Sequence, residues 1–183
     1  MILPQALQVH FDVLSKWRSA MDLVGPGPLM PHFEDSIQAV SNLPYCSNWV
    51  DLGSGAGFPG IALAVSFPNS QITLVESRQK RAVFLRRVIS ESKLRNISVC
   101  QGRTEALPNH SFNGIISRAY KPPLEYLKDA QRLLSSNGCV VCLLGSEAQL
   151  DVTVEWTAVA ENIYPVGNEF RKRIVLMRNS SSS

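Results

Sequence analysis

Residues 50–60 read Val-Asp-Leu-Gly-Ser-Gly-Ala-Gly-Phe-Pro-Gly, "VDLGSGAGFPG", with glycines at 53, 55, 57 and 60. "WVDL" (Trp49–Leu52) predicts a short buried strand. The glycines predict a loop that turns sharply and lets a ligand approach the backbone. Pro59 suits the first turn of a following helix, which "GIALAVSF" continues. A strand feeding a glycine loop and then a helix is the opening unit of a parallel α/β sheet.

The pattern repeats outward. "QITLVES", "NISVCQ", "FNGIISRA" and "CVVCLL" predict the next four strands. Between them Gln79–Ser92 predicts a helix with Ala82, Leu85, Val88 and Ile89 inward. Pro122 and Pro123 open another helix, which Asn137-Gly138 is expected to close. "TAVAENIYPV" and "RIVLMR" predict closing strands. Upstream, Leu7, Phe11, Leu14, Trp17 and Met21 make one apolar stripe and predict a helix over Pro4–Leu23. "GPGP" (Gly25–Pro28) breaks it, and a second helix is expected over His32–Leu43. The fold class is therefore α/β, a parallel sheet with helices on both faces. Residues 1–178 are expected to form one domain, with 1–47 a helical cap, 48–178 the core and 179–183 a polar, disordered tail.

The 183 residues are 45% hydrophobic and 18% charged, the composition of a globular domain with a sizeable core. No apolar run is long enough to span a bilayer. Met1–Val24 lacks a basic start followed by an apolar block, so no signal peptide and a cytoplasmic location are expected. A formal charge of +3 permits an anionic partner without demanding one. Of the four cysteines, Cys139 and Cys142 form a C-x-x-C. Residues three apart on a strand point to opposite faces, and no second pair completes a site, so core packing rather than a metal is expected.

The glycine loop fits two cofactors. Gly55–Gly60 matches the G-x-G-x-x-G of dinucleotide sites. Asp51 with Gly53, Gly55 and Gly57 matches the D-x-G-x-G-x-G of S-adenosyl-L-methionine (AdoMet) enzymes. Glu76 ends the second strand, where either cofactor family places an acid against the ribose hydroxyls. Asp51 would repel a pyrophosphate but attract the ammonium and sulfonium of AdoMet. Pro59 removes an N–H that a pyrophosphate would want at the helix start. Both features favour AdoMet.

"VDLGSGAGFPGIALA", "LVESRQKRAVFLRRV", "GRTEAL" and "ISRAY" resemble, in this order, the RsmG (glucose-inhibited division protein B) family. The likeness runs from about Trp17 to Arg178. It implies a Rossmann-like class I AdoMet-dependent methyltransferase, with a mostly parallel seven-stranded sheet and a short N-terminal helical cap. It also implies an activity on guanine N7 of 16S rRNA in the small ribosomal subunit. By resemblance Gly53 and Phe58 line the cofactor loop, and Thr104 and Glu105 hold the adenine. Arg118 faces cofactor and target base as the catalytic residue, and His32 and Asp35-Ser36 match an H-x-x-D-S near the site mouth. Two departures stand out. Leu143-Leu144-Gly145 replaces Leu-Lys-Gly, and Asp22-Leu23-Val24 replaces Asn-Leu-Thr.

Basic residues offer RNA contacts. Lys80 and Arg81, just past the second strand, are the leading candidates with His32. Arg78, Arg86, Arg87, Lys93, Arg95 and Arg171–Arg173 are further ones. Three other readings stay open: an AdoMet methyltransferase of a small molecule or protein, an AdoMet-binding module with reduced transfer, and a nicotinamide oxidoreductase.

Overall fold

A computed structural model describes residues 2–179 of the chain; residues 180–183 of the expected tail lie outside them. Seven strands form one sheet: β1 (Asn48–Leu52), β2 (Gln71–Glu76), β3 (Ile97–Gln101), β4 (Phe112–Ser117), β5 (Leu134–Gly145), β6 (Trp156–Val166) and β7 (Glu169–Arg178). Their order is β3-β2-β1-β4-β5-β7-β6. The first five are parallel, and β7 runs antiparallel to both β5 and β6. The chain leaves β1 for β2 and β3 on one side, then returns to β4 on the other. The crevice between the carboxyl ends of β1 and β4 is thus the switch point where open α/β sheets bind ligands. Val166 pairs with Glu169 across a two-residue turn, and Gly167 supplies its φ of 55°. That turn lies at the same carboxyl edge.

The α/β class and the mostly parallel seven-stranded sheet are as the sequence predicts. Helices α1 (Gln5–Trp17), α2 (Met30–Val40), α3 (Gly60–Ser66) and α4 (Gln79–Ser92) cover one face. They share an apolar core with Trp49, Ile72, Leu74, Ile116, Val141 and Val175. Helix α5 (Pro123–Leu133) covers the other face, packing on Val50, Leu52, Ile115, Val140, Ile174 and Leu176. Strands sandwiched this way read as continuous apolar runs, as "WVDL" does. Cys139 packs into the first core and Cys142 into the second, so the two thiols stand on opposite faces of β5.

Three boundaries differ from expectation. Helix α1 stops at Trp17, six residues early, and a run of turns follows. Helix α2 begins at Met30 because Pro31 fits its first turn, and it closes before Asn42, which takes a left-handed φ of 55°. Helix α5 ends at Leu133, because Leu134 already pairs with Phe112 in the sheet. Ser135, Ser136 and Asn137 are weak helix formers and do not oppose this. Gly138 is therefore a strand glycine, not a helix cap. A Cβ there would lie 2.7 Å from the Asn113 carbonyl oxygen.

Gly114 has a similar role in β4. A Cβ on it would fall 2.3 Å from the Trp49 indole, which is fully buried. Gly114→Ala is expected to cost about 1–3 kcal/mol by overpacking, read as a lower urea midpoint. A midpoint equal to wild type would show that Trp49 can move aside.

Candidate functional site

The β1–α3 loop is built by its glycines. Gly53, Gly55 and Gly57 have φ of 69°, 53° and 92°, a region that side chains avoid. At Gly53 a Cβ would meet Tyr120 Cδ2 at 2.7 Å, and at Gly57 it would meet Ile61 Cδ1 at 2.4 Å. The loop is tied down by Ser54, whose N–H donates to the Val75 carbonyl and whose Oγ donates to the Asp51 carbonyl. Helix α1 pins it from outside: His10 Nε2 lies 2.7 Å from the Ala56 carbonyl oxygen. His10 is fully buried among Phe33 and Phe58, and burial lowers its pKa to about 4. The ring is therefore neutral, with the Nε2–H donating. Nothing in the sequence marks His10 beyond its place beside the apolar stripe of α1.

Two cavities meet at the loop and share Gly53, Arg81 and Ala119. The one over β2 and β3, about 440 Å³, is lined by Glu76, Thr104, Glu105 and Tyr120 among others. Glu76 is 5% exposed. Its Oε2 accepts from the Gly55 N–H at 3.0 Å and its Oε1 from the Arg78 N–H at 2.8 Å. The Thr104 hydroxyl is 2.5 Å from Tyr120 Oη, which donates in turn to Asp129. Tyr120 has one proton and a carboxylate only accepts, so Thr104 is the donor in the first bond. Arg132 on α5 braces this turn through the carbonyls of Thr104 and Leu107. Tyr120 and Arg132 were not singled out by sequence.

The second cavity, about 510 Å³, is walled by the 23–25 segment, α2, the glycine loop and residues of β6 and β7. Phe58, Arg118, His32, Asp35, Tyr164 and Arg171 are among its lining residues. Arg118 leaves the end of β4 with its guanidinium 4.6 Å from the centre of the Phe58 ring. Its Nη1 donates to Asp35 Oδ2 at 3.1 Å, and the Tyr164 hydroxyl donates to Asp35 Oδ1 at 3.0 Å. His32 stacks on Phe58 with 5.7 Å between ring centres. Burial and then the Arg118 charge lower the His32 pKa and so favour the neutral imidazole, against the opposing pull of Asp35.

Asp51 is not where the charge argument placed it. It lines neither cavity and is fully buried. Its Oδ2 accepts from the Gly60 N–H at 3.2 Å, under the start of α3, and Oδ1 finds no partner among the described residues. Gly60 lacks the Cβ that would sit 2.6 Å from that carboxylate, so the side chain can turn toward the helix. Gly57 also lines neither cavity; its part is steric.

Burial pushes the Asp51 carboxyl up to about 8. The folded protein then holds a proton that the unfolded chain releases above about pH 4. Stability accordingly falls as pH rises from about 4 to about 8, with the loss complete above that. Asp51→Asn removes this dependence. Relative to wild type it is expected to gain up to about 1.4 kcal/mol per pH unit between pH 5 and 8, measured by urea unfolding without cofactor. Parallel pH curves would mean that Asp51 is ionised throughout.

The cations divide. Arg81 lines both cavities and donates to the Asp22 carbonyl at 2.6 Å, while Lys80 is exposed beside it. Arg87 pairs with Glu91 and Arg86 with Gln101. The expected cluster at 171–173 is split: strand alternation turns Lys172 to the face opposite Arg171 and Arg173. Arg171 lines the larger cavity, Lys172 pairs with Glu161, and Arg173 is buried. Arg173 Nη1 donates to the carbonyls of Gln38, Ala39 and Ser41, so it closes the end of α2 instead of meeting a polyanion.

A family model described as rRNA small subunit methyltransferase G (GidB) matches residues 4–163. The chain is 34% identical over 164 residues to ribosomal RNA small subunit methyltransferase G of Photobacterium profundum, covering 86% of this chain and 79% of that protein. It is 39% identical over 119 residues to the protein of the same name from Pseudomonas paraeruginosa, covering 62% of this chain but 56% of that protein. Among solved structures, TYW2 of M. jannaschii in complex with AdoMet superposes with a TM-score of 0.65 at 12% identity, over 87% of this chain and 81% of that one. A point mutant of MtNAS in complex with S-adenosylmethionine does so with a TM-score of 0.67 at 12% identity, over 95% and 72%. At that identity the likeness is one of fold.

Proposed function

The chain belongs to the rRNA small subunit methyltransferase G family, and on that premise we propose that it transfers the methyl group of AdoMet to guanine N7 in the decoding-region loop of 16S rRNA. The observation that carries the reading is Arg118. It lines a cavity that shares Gly53 and Ala119 with the Glu76 cavity, and it is fixed over Phe58 by Asp35.

The residues present fit AdoMet. The glycine loop leaves backbone exposed at the junction of the two cavities. Glu76, with each oxygen already accepting one backbone N–H, keeps further lone pairs for ribose hydroxyls. Thr104 and Glu105 line the same cavity, where the family resemblance would put the adenine. AdoMet supplies an electrophilic methyl carried on a sulfonium. Guanine N7 has a free lone pair at neutral pH, so no residue has to remove a proton. The work left to the protein is placement and charge. His32, stacked on buried Phe58, offers a flat face beside the larger cavity, and Arg118 can donate to guanine O6 and orient the base. Arg81, Arg171 and exposed Lys80 supply positive charge around the mouth for phosphates. A small-molecule methyltransferase would favour a closed, apolar pocket; the arginines lining this cavity favour a polyanion. The site of action in this reading is the small ribosomal subunit in the cytoplasm. No helix among the described residues is long and apolar enough to cross a membrane.

The test is transfer from methyl-labelled AdoMet to small subunits lacking the modification, with stripped 16S rRNA in parallel. Label in RNA is the expected result. Label in protein or a small molecule would replace this reading, and binding of NAD but not AdoMet would remove its cofactor.

A further inference from the structure

We propose that Tyr164 is a positioning residue: its hydroxyl, acting through Asp35, fixes the Arg118 guanidinium in the larger cavity. The inference rests on the methyltransferase reading for its consequence but not for its geometry.

Three distant segments converge here. Asp35 comes from α2, Arg118 from the end of β4, and Tyr164 from β6 at the edge of the sheet. Asp35 is 8% exposed and Tyr164 3%, so this is a mostly buried bridge and not a surface pair. Each carboxylate oxygen has one donor: Oδ2 takes Arg118 Nη1 at 3.1 Å and Oδ1 takes Tyr164 Oη at 3.0 Å. An aspartate with one donor could rotate about its last torsion and release the arginine. With a donor on each oxygen, that rotation breaks a bond to a buried group, which is costly. The Tyr164 ring cannot follow such a rotation. It packs against Ala39 of α2, Val166 and Leu143, and its strand is held to α2 again where the Gly167 N–H donates to Glu34. Arg118 is thus fixed twice, by the Phe58 face and by a carboxylate whose own orientation Tyr164 sets. Nothing about the "NIYPV" segment marked Tyr164 in the sequence beyond its place on a closing strand.

The test removes one oxygen atom. Tyr164→Phe keeps the packed ring, so the fold is expected to survive with its melting temperature close to wild type. The variant should lose about tenfold in kcat, while its KM for small subunits and Kd for AdoMet stay within about twofold. In an Arg118→Ala background the same change should cost less than about twofold, because its effect passes through Arg118. An unchanged kcat, or a full second loss in the Arg118→Ala background, would overturn the proposal. A second readout needs no catalysis. In protein labelled with 15N-arginine, the Arg118 side-chain signals should be resolved in wild type and averaged by rotation in Tyr164→Phe; identical signals in both would overturn it. If wild type transfers no methyl to RNA at all, the proposed function fails, and the arginine signals alone decide the role of Tyr164.

Discussion

Arg118→Ala is expected to lower kcat for methyl transfer about 10²- to 10³-fold while leaving the AdoMet Kd within about threefold. The asymmetry follows from where the guanidinium lies. It lines the larger cavity and is absent from the lining of the Glu76 cavity. It is only partly exposed, with 23% of its side chain accessible, so its charge is less screened than that of a surface arginine. Removing it takes away a donor that orients the base and also leaves the Asp35 carboxylate short of its cation. The second effect will lower stability somewhat, so kcat should be measured well below the unfolding temperature. Arg118→Lys keeps the charge but loses the planar fork that reaches Asp35 while lying on Phe58, and it should recover only part of the rate. A drop in AdoMet affinity equal to the drop in kcat would move Arg118 from target positioning to cofactor binding.

Glu76→Ala should weaken AdoMet binding at least about 100-fold, or roughly 2.7 kcal/mol. The carboxylate orders the loop and presents the ribose partner at once. Losing it leaves the Gly55 and Arg78 N–H groups without their acceptor and opens the floor of the cavity. Glu76→Gln keeps one acceptor oxygen and should fall between the two. Titration calorimetry reads both. A Kd within about fivefold of wild type for the alanine variant would mean that the ribose is held elsewhere.

The sequence carried most of the scaffold because the scaffold is local. "WVDLGSGAGFPG" encodes a strand, a turn and a helix start through burial, glycine freedom and proline geometry, and each works over a few residues. The place of Glu76 in a cavity wall was legible for the same reason: a strand end fixes where its side chain goes. What escaped was non-local. The end of α5 depended on a pairing between Leu134 and Phe112 that no window around Leu134 contains. Asp51 was read as facing a ligand because its charge suits the ammonium and sulfonium of AdoMet, but the space left by Gly60 lets it turn under the helix. Arg173 looked like one of three adjacent cations until the packing of β7 against α2 set it on the carbonyls at that helix's end. His10 and Tyr164 read as an ordinary helix residue and an ordinary strand residue. Each acquires its role from a partner at least 46 positions away, the carbonyl of Ala56 for one and the carboxylate of Asp35 for the other.

The most direct measurement is the chemical identity and position of the transferred methyl. Small subunits from cells lacking the modification would be incubated with the protein and AdoMet, and the 16S rRNA digested and mapped by mass spectrometry. The expected product is a single N7-methylguanosine in the decoding-region loop, formed about 10²- to 10³-fold more slowly with Arg118→Ala. A methyl on another base or another atom of guanine, or no methyl in the RNA while AdoMet still binds, would contradict it.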